Sequence, residues 1–182
     1  MKRAKGSVLI DFVKTIKANK TGVYDKYLTD EDRSIINQRI LPNQWYPFDT
    51  FKRIVNAIVE VAANKNLEMV RQWGRLYGQA IMGDVYKHLL KQGEPMEYIK
   101  KYPVYVRNFY DFGTFEVIEE NPTQALVKMK DFDADFVPLF YIIWGWLEKT
   151  LELCGAKNLK TELVSQSWAG AKETAIRFKW TM

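Results

Sequence analysis

The sequence predicts an α+β fold in which an N-terminal helical bundle precedes a four-stranded antiparallel sheet built from two hairpins. Helical periodicity dominates residues 1–110, and two pairs of alternating segments follow in residues 111–182. Between the two pairs lies Phe136–Cys154, whose first half is apolar almost without a break. Because a helix that is apolar on every side is a buried one, we expect a buried crossover helix between the hairpins.

Apolar residues at helical spacing predict five helices in the first part of the chain. They cover Gly6–Lys20, a segment that starts at Thr29, Phe51–Ala63, Leu67 to about Gln92, and Met96–Tyr110. Thr29 is expected to cap the second helix through the Asp32 amide, and Asp49 or Thr50 to cap the third. Pro103 predicts a kink in the fifth helix.

Glycines interrupt the predicted long helix at Gly74, Gly78 and Gly83. A glycine inside a helix costs about 1 kcal/mol relative to alanine. Gly74 and Gly78 lie one turn apart on the same face. Two interpretations remain open: close approach of another helix, or the floor of a ligand pocket.

The second part of the chain alternates with the period of a strand. Gly113–Glu119 and Gln124–Lys130 flank a turn at Glu120-Asn121-Pro122, which predicts the first hairpin. Leu159–Gln166 and Glu173–Trp180 predict the second hairpin. Gly155 is expected to end the crossover helix as its C′ residue.

Length and composition indicate one domain over residues 1–182, with a mainly helical part at 1–110 and a hairpin-helix-hairpin part at 111–182. The net charge of +5 is spread along the chain, so we expect no nucleic-acid partner. The apolar run in Phe136–Cys154 is too short for a membrane span. The single cysteine, Cys154, excludes an intrachain disulfide and predicts a cytoplasmic protein.

Three stretches resemble a known superfamily. KGSVLIDFVKTIK (5–17) is similar to the opening of the bacterial haem–nitric-oxide-binding domains, and GRLYG (74–78) to their arginine-glycine helix. The stretch GWLEKTLELCGAKNLKTELVSQSWAGAKETAIRFKW (145–180) resembles the close of 4-vinyl-reductase-type domains, and the Bet-type subunits of the Golgi transport tethering complex share the element order. The non-haem, vinyl-reductase-like bacterial members are the most similar, and the resemblance implies a ligand-binding fold.

The sequence departs from the haem-binding members of this superfamily. The resemblance would place an axial histidine in Tyr98–Tyr110 and a Tyr-x-Ser-x-Arg signature in Lys128–Tyr141, and both are missing. The lone His88 is expected to be a packing or helix-end residue. Gln166 and Thr174 stand near the positions of the vinyl-reductase-type cysteines. We therefore expect no haem and no metal site.

If the fold is of this type, a ligand would lie between the long helix, the crossover helix and the sheet. Aromatic and aliphatic side chains are the predicted lining: Trp73, Tyr77, Ile81, Tyr105, Phe109, Phe115, Phe140, Trp144 and Trp168. Arg75 and Arg107 are expected to lie within apolar surroundings and are candidates to fix a carboxylate, with surface or structural ion pairing as the alternative. The aromatic residues could equally form a filled core.

The leading functional hypothesis is a non-enzymatic, small-molecule-binding sensory or signalling domain without haem. No nucleophile–base pair, phosphate loop or dinucleotide fingerprint supports catalysis. The first alternative is a protein-interaction scaffold that uses exposed Trp45, Tyr46 and Phe48 for a protein partner or a second copy of the chain. The second alternative is a haem-based gas sensor.

Overall fold

The computed structural model describes residues 2–82, 90 and 92–182. It contains two compact units. The first comprises Met1–Leu67 with Val106–Phe112, and the second comprises Glu68–Tyr105 with Gly113–Met182. This division differs from the predicted one at residue 110, since two helices group with the sheet. The single-domain assignment stays a prediction.

The first unit is helical, with a small two-stranded sheet. Its elements are β1 (Arg3–Lys5), α1 (Gly6–Ala18), α2 (Asp30–Asn37), β2 (Trp45–Pro47) and α3 (Phe48–Ala62), with a short 3-10 turn at Asp25–Tyr27. The strands β1 and β2 pair antiparallel. Phe12 and Phe51 meet edge to face, with ring centroids 6.1 Å apart, where α1 packs on α3. The sequence did not predict the two strands, because three residues are too few for an alternating pattern.

The predicted cap of α2 is confirmed, and that of α3 is wrong. The Asp32 amide donates to Thr29 Oγ1 at 3.2 Å, and the Thr29 amide donates to Asp32 Oδ2 at 2.9 Å, which completes a capping box. The helix α3 begins at Phe48, directly after Pro47, and has no side-chain cap. Asp49 and Thr50 therefore lie inside the helix.

The second unit contains the four-stranded sheet and the crossover helix, as predicted. Its elements are α4 (Leu67–Ala80), α5 (Pro95–Val106), β3 (Thr114–Asn121), β4 (Gln124–Lys130), α6 (Val137–Leu153), β5 (Lys157–Ser165) and β6 (Thr174–Thr181). All neighbouring strands are antiparallel, in the order β3-β4-β6-β5. Gly155 follows α6 with φ 101°, as expected of a C′ glycine. His88 and Gly83 lie outside the described residues.

The crossover helix α6 packs on β5 and β6. Val127, Ile176 and Phe178 on the central strands are at most 1% exposed. The opposite face of the sheet carries cross-strand ion pairs, such as Arg177 with Glu120 at 2.8 Å. The sheet therefore has one apolar and one charged face. Within the described residues, no helix is long and apolar enough to cross a bilayer.

The backbones of α4 and α6 touch at glycine. A Cβ atom added to Gly74 would lie 2.1 Å from the Ile142 carbonyl oxygen, and one added to Gly145 would lie 1.9 Å from that of Arg71. Such distances are far inside van der Waals contact. Close helix packing therefore explains Gly74, and the pocket-floor interpretation does not.

Candidate functional site

Six aromatic side chains form a continuous group beside α6 in the second unit. This aromatic cluster consists of Phe115, Phe132, Phe140, Tyr141, Trp144 and Trp168. Successive ring centroids lie 5.1–6.1 Å apart, in tilted or edge-to-face arrangements. Aromatic pairs prefer these geometries, each worth about 0.5–1.5 kcal/mol beyond area burial. The space beside α6 is therefore occupied by rings that contact one another.

The aromatic cluster has a buried centre and an edge that solvent reaches. Phe140 is 2% exposed and Trp144 is 7% exposed. Tyr141 and Trp168 are half-buried, and their rings lie 6.1 Å apart. Phe115 and Phe132 are half-buried as well, so solvent reaches four of the six rings.

A fixed turn positions Trp168. The 3-10 turn Ser167–Ala169 joins β5 to β6 and ends at Gly170, which has φ 94°. The Ser167 amide donates to Thr174 Oγ1 at 3.1 Å, and the two hydroxyl oxygens lie 2.9 Å apart. Thr174 is fully buried. Thr174 therefore holds the turn against β6, and the turn carries the Trp168 ring to Phe140, 5.1 Å between centroids.

The indole nitrogen of Trp144 is a buried polar atom of the aromatic cluster. Within the described part of the chain, Trp144 Nε1 is buried and has no hydrogen-bond acceptor. An unpaired buried donor costs about 1–3 kcal/mol. The ring itself packs on the Arg71 guanidinium, whose central carbon lies 4.0 Å from the ring centroid. The cluster thus combines apolar ring faces with a buried donor, Trp144 Nε1, that no described residue accepts from.

A group of charged side chains centred on the buried Glu148 holds α4 against α6 next to this cluster. Glu148 is 4% exposed and accepts from Arg71 Nε at 3.1 Å, from Arg75 Nη1 at 3.3 Å and from Thr161 Oγ1 at 2.9 Å. A second donation from Arg71, through Nη2, is also present. Arg75 further binds both oxygens of Glu152 at 2.8 Å. We call these five residues the α4–α6 clasp.

The arginines of the clasp remain charged. Burial opposes the charge on both guanidiniums. At Arg71, the hydrogen bonds to Glu148 and its negative charge outweigh the effect of burial. At Arg75, the hydrogen bonds to Glu152 and Glu148 and their negative charges do the same. The pKa of each arginine therefore lies above its ordinary value. The charges are satisfied internally, which indicates a structural role. Among the described residues, no three His, Cys, Asp or Glu side chains are grouped to hold a metal ion.

Comparison with known proteins places the chain in a family. The model of that family, described as a protein of unknown function (DUF2378), matches residues 32–181. The chain belongs to the DUF2378 family. None of the curated proteins compared with it is significantly similar.

Solved structures share the fold of this DUF2378 chain. One is described as an oxygen-binding H-NOX domain related to soluble guanylate cyclases, with TM-score 0.67, 14% identity and coverage of 98% of this chain and 95% of that chain. A mutant H-NOX of T. tengcongensis has TM-score 0.69 and 13% identity, with coverage of 98% of this chain and 98% of that chain. An H-NOX protein from S. oneidensis in the Fe(II)NO state has TM-score 0.68 and 10% identity, with coverage of 98% of this chain and 99% of that chain.

These identities establish the fold alone. The solved structures confirm that the chain has the fold of the haem–nitric-oxide-binding domains, and the likeness to vinyl-reductase-type and Bet-type proteins stays a prediction.

Four of the predicted ligand residues meet in the aromatic cluster of this DUF2378 chain: Phe115, Phe140, Trp144 and Trp168. The other predicted residues lie elsewhere. Trp73, Tyr77 and Ile81 are half-buried on or just after α4, Tyr105 packs on Tyr98 within α5, and Phe109 belongs to the first unit. Phe132 and Tyr141 were missed. A role in ligand binding stays a prediction for the residues that the sequence analysis named.

The expected surroundings of the two candidate arginines are wrong. Arg107 is exposed rather than set among apolar groups. Arg75 is half-buried, and its guanidinium binds Glu148 and Glu152. Arg75 therefore follows the ion-pair alternative, and neither residue stands ready to bind a carboxylate within an apolar pocket.

The expected exposure of the residues in the proline-rich segment is wrong for two of the three. Tyr46 is 5% exposed and Phe48 is 2% exposed, because β2 pairs with β1 and brings both rings into the first unit. Trp45 is half-buried, with Lys5 Nζ 4.5 Å and the Arg3 guanidinium 5.5 Å from its ring centroid. A partner-binding role for Trp45 stays a prediction.

The described residues do not fit a haem bound as the resemblance implies. The helix α5 contains no histidine. Tyr102 on that helix packs edge to face on Phe115, with ring centroids 5.1 Å apart, and Phe115 packs in turn on Phe132. Side chains therefore occupy the apolar space that links α5 to the sheet.

Proposed function

We propose that this DUF2378 chain is a non-enzymatic sensory domain that binds a small aromatic or apolar molecule without haem. The ligand would bind at the solvent-reached edge of the aromatic cluster. The observation that carries the proposal is the buried Trp144 Nε1–H, which has no acceptor among the described residues. The one cysteine, Cys154, supports a cytoplasmic location.

The chemistry of the cluster defines the ligand class. A ligand with a planar apolar body would stack on Tyr141 and Trp168, which are half-buried. A carbonyl or ring-nitrogen acceptor would satisfy Trp144 Nε1 and remove the cost of its unpaired state, about 1–3 kcal/mol. Arg71 covers the Trp144 ring, and its positive charge is already paired with Glu148. The ligand therefore needs no carboxylate to neutralise Arg71.

The same turn that positions Trp168 provides a way to transmit binding. Trp168 is the middle residue of the Ser167–Ala169 turn, so a ligand that displaces its ring from Phe140 would move the turn. Ala169, the last residue of that turn, and the three residues after it, Gly170–Lys172, are exposed. A ligand that binds the displaced state better shifts the population toward it. A partner protein would then recognise the changed turn.

A matched pair of probes tests the ligand chemistry. Acetophenone offers an aromatic body with one acceptor, and ethylbenzene offers a body of similar size without it. We expect acetophenone to shift the Trp144 indole N–H signal in a ¹H–¹⁵N spectrum and to bind more tightly than ethylbenzene. The difference should vanish in Trp144→Phe. Trp180→Phe is the control, because Trp180 is another buried tryptophan whose indole nitrogen has no acceptor in the described chain. Equal binding of both probes, or an unmoved Trp144 signal, would contradict the proposal.

A haem-based gas sensor is the second candidate, and the structural comparisons favour it more directly than they favour a haem-free domain. The similar structures are described as an oxygen-binding H-NOX domain and as an H-NOX protein in the Fe(II)NO state. Haem titration separates the candidates. A Soret band that saturates at one equivalent and is lost in His88→Ala would support the haem sensor. Absence of stoichiometric binding would support the haem-free proposal.

A further inference from the structure

A cleft in the first unit carries features of a second ligand site. It has a volume of about 400 Å³ and is lined by the end of α1, the segment Asp25–Leu28 and α2. Its lining residues are Ile16, Lys17, Lys20, Asp25, Leu28, Arg33, Ile36 and Asn37. Small-ligand sites commonly have volumes of about 300–1,000 Å³. The cleft is therefore large enough for a small molecule.

The floor of this cleft is aliphatic. Ile16, Leu28 and Ile36 line it, and Leu28 and Ile36 are 6% and 5% exposed. An alkyl chain laid on this floor would be stabilised in proportion to the apolar surface that it removes from water. The floor offers no polar group to an aromatic heterocycle or a sugar. The geometry therefore favours an aliphatic ligand body.

The rim of the cleft is cationic. Lys17 Nζ donates to the Gln38 carbonyl oxygen at 3.1 Å, and Lys20 Nζ donates to that of Lys17 at 2.9 Å. Arg33 faces the Asp25 carbonyl oxygen at 3.4 Å and Asp30 at 3.7 Å. Within the described residues, neither lysine lies within ion-pair distance of a carboxylate.

These charges leave the rim positive. Lys17, Lys20 and Arg33 line the cleft with one acid, Asp25. A carboxylate or phosphate monoester would gain charge-assisted hydrogen bonds from the lysines, whose present acceptors are neutral carbonyls. Lysine stems also cover apolar surface while their ammonium groups stay in water.

We infer that this cleft binds an amphiphilic anion, namely an alkyl chain with a carboxylate or phosphate head. The alkyl chain would lie on Ile16, Leu28 and Ile36, and the head group would contact Lys17 and Lys20. The inference is independent of the aromatic cluster, because every residue involved belongs to the first unit. The head group could belong to a free molecule or to a lipid in a membrane, since both present the same chemistry.

Titration calorimetry of the full chain tests this site with decanoate as the probe. We expect decanoate to bind. 1-Decanol and acetate should bind at least tenfold more weakly, since decanol lacks the anionic head group and acetate lacks the alkyl chain. The double variant Lys17→Gln/Lys20→Gln should weaken decanoate binding at least tenfold. Lys14→Gln is the control, because Lys14 is exposed on the same helix and pairs with Asp11 at 2.8 Å. Decanol binding as tight as decanoate, or an unaffected double variant, would overturn the inference.

Vesicle sedimentation separates the two sources of the head group. Phosphatidylcholine vesicles with phosphatidylglycerol are compared with phosphatidylcholine alone. Decanoate binding without vesicle binding supports a free ligand in the cleft. Decanoate binding together with vesicle binding that the double variant loses supports a lipid ligand in the same cleft. Vesicle binding without decanoate binding would overturn the cleft as a site, because charge alone would explain it.

Discussion

Asp32 and Glu148 are both buried carboxylates bound by arginine, and they differ in how far along the chain their partners lie. Asp32 binds Thr29, three residues away, and Arg53, twenty-one residues away. Glu148 binds Arg71, seventy-seven residues away. The first carboxylate organises neighbouring helices α2 and α3. The second depends on two helices that meet only when the second unit has folded.

The energetic logic of the two carboxylates is the same. Taking a charge out of water costs several kcal/mol, and the partners offset this cost. Asp32 is 0% exposed, and Arg53 binds it through two hydrogen bonds, at 2.7 and 2.8 Å. Replacing one charged residue of either site leaves its partner without the opposite charge that offsets the cost of burial. Both sites should therefore be sensitive to substitution, with Glu148 the more sensitive because it satisfies two arginines.

The largest expected effect comes from the glycine contact that allows the α4–α6 clasp to form. In Gly145→Ala, the new Cβ would lie 1.9 Å from the Arg71 carbonyl oxygen and 2.9 Å from the Arg75 amide nitrogen. Both are backbone atoms that cannot move without separating the helices. We expect a loss of more than about 3 kcal/mol in the free energy of unfolding, measured by urea denaturation.

The matched control for this prediction is Gly78→Ala. A Cβ there would lie 3.2 Å from the Trp146 carbonyl oxygen, and alanine favours the helix by up to about 1 kcal/mol. We expect a change within about 1 kcal/mol. Equal losses in Gly78→Ala and Gly145→Ala would mean that the close contact at Gly145 does not govern the packing of α4 on α6.

Glu148→Gln should give the next largest effect. The substitution keeps the shape of the side chain but leaves Arg71 and Arg75 without their shared counter-charge. Breaking a buried pair by removing one partner costs about 3–5 kcal/mol. Glu152→Gln, at a half-buried position that binds Arg75, should cost less than about 1 kcal/mol. Thermal unfolding of both variants would check the order, and a larger loss in the Glu152 variant would contradict it.

Asp32→Asn should cost somewhat less, about 2–4 kcal/mol, and should change the dependence of stability on pH. Burial alone would raise the pKa of Asp32, but hydrogen bonds from Arg53 and Thr29 outweigh it and lower that pKa below its ordinary value. The ionised form is therefore favoured in the folded state. Its stabilisation is present above the ordinary pKa of an aspartate, about 3.9, and is lost as the pH falls through the folded-state pKa.

The pH profile tests this prediction directly. The difference in unfolding free energy between wild type and Asp32→Asn should be full at about pH 6 and should shrink below about pH 4. Urea denaturation at a series of pH values measures it. A difference that stays constant down to about pH 2 would show that the charge on Asp32 does not contribute to stability.

The sequence predicted most of the fold because periodicity is a local property. The two hairpins and the crossover helix follow from alternation and from the apolar run. The capping box at Thr29 was visible for the same reason. The pairing of β1 with β2 was not visible, because each strand has three residues and β2 ends in Pro47. That omission led to the wrong exposure of Tyr46 and Phe48.

The candidate site was predicted less completely because it depends on tertiary contacts. Phe140, Trp144 and Trp168 were predicted from their residue type. Phe132 lies in a loop, where no helical or alternating pattern of apolar residues marks it as buried. The α4–α6 clasp was missed although a signal existed. Arg71 and Arg75 are four residues apart on one helix, and Glu148 and Glu152 are four apart on another. Matching spacings of opposite charge on two helices favour an interhelical ion-pair network.

The smallest effects should come from two threonine hydroxyls: Thr161 Oγ1 donates to the Glu148 carboxylate, and Thr29 Oγ1 accepts from the Asp32 backbone amide. Thr161→Val removes the donor at 2.9 Å from Glu148, whereas Thr29→Ala removes the hydroxyl that caps the Asp32 amide. We expect Thr29→Ala to cost about 1 kcal/mol, the usual loss for a helix cap. Thr161→Val should cost no more than that, because Arg71 and Arg75 still donate to the carboxylate. A double-mutant cycle of Thr161→Val with Glu148→Gln would measure the coupling between the hydroxyl and the carboxylate. No coupling would mean that the arginines alone satisfy Glu148.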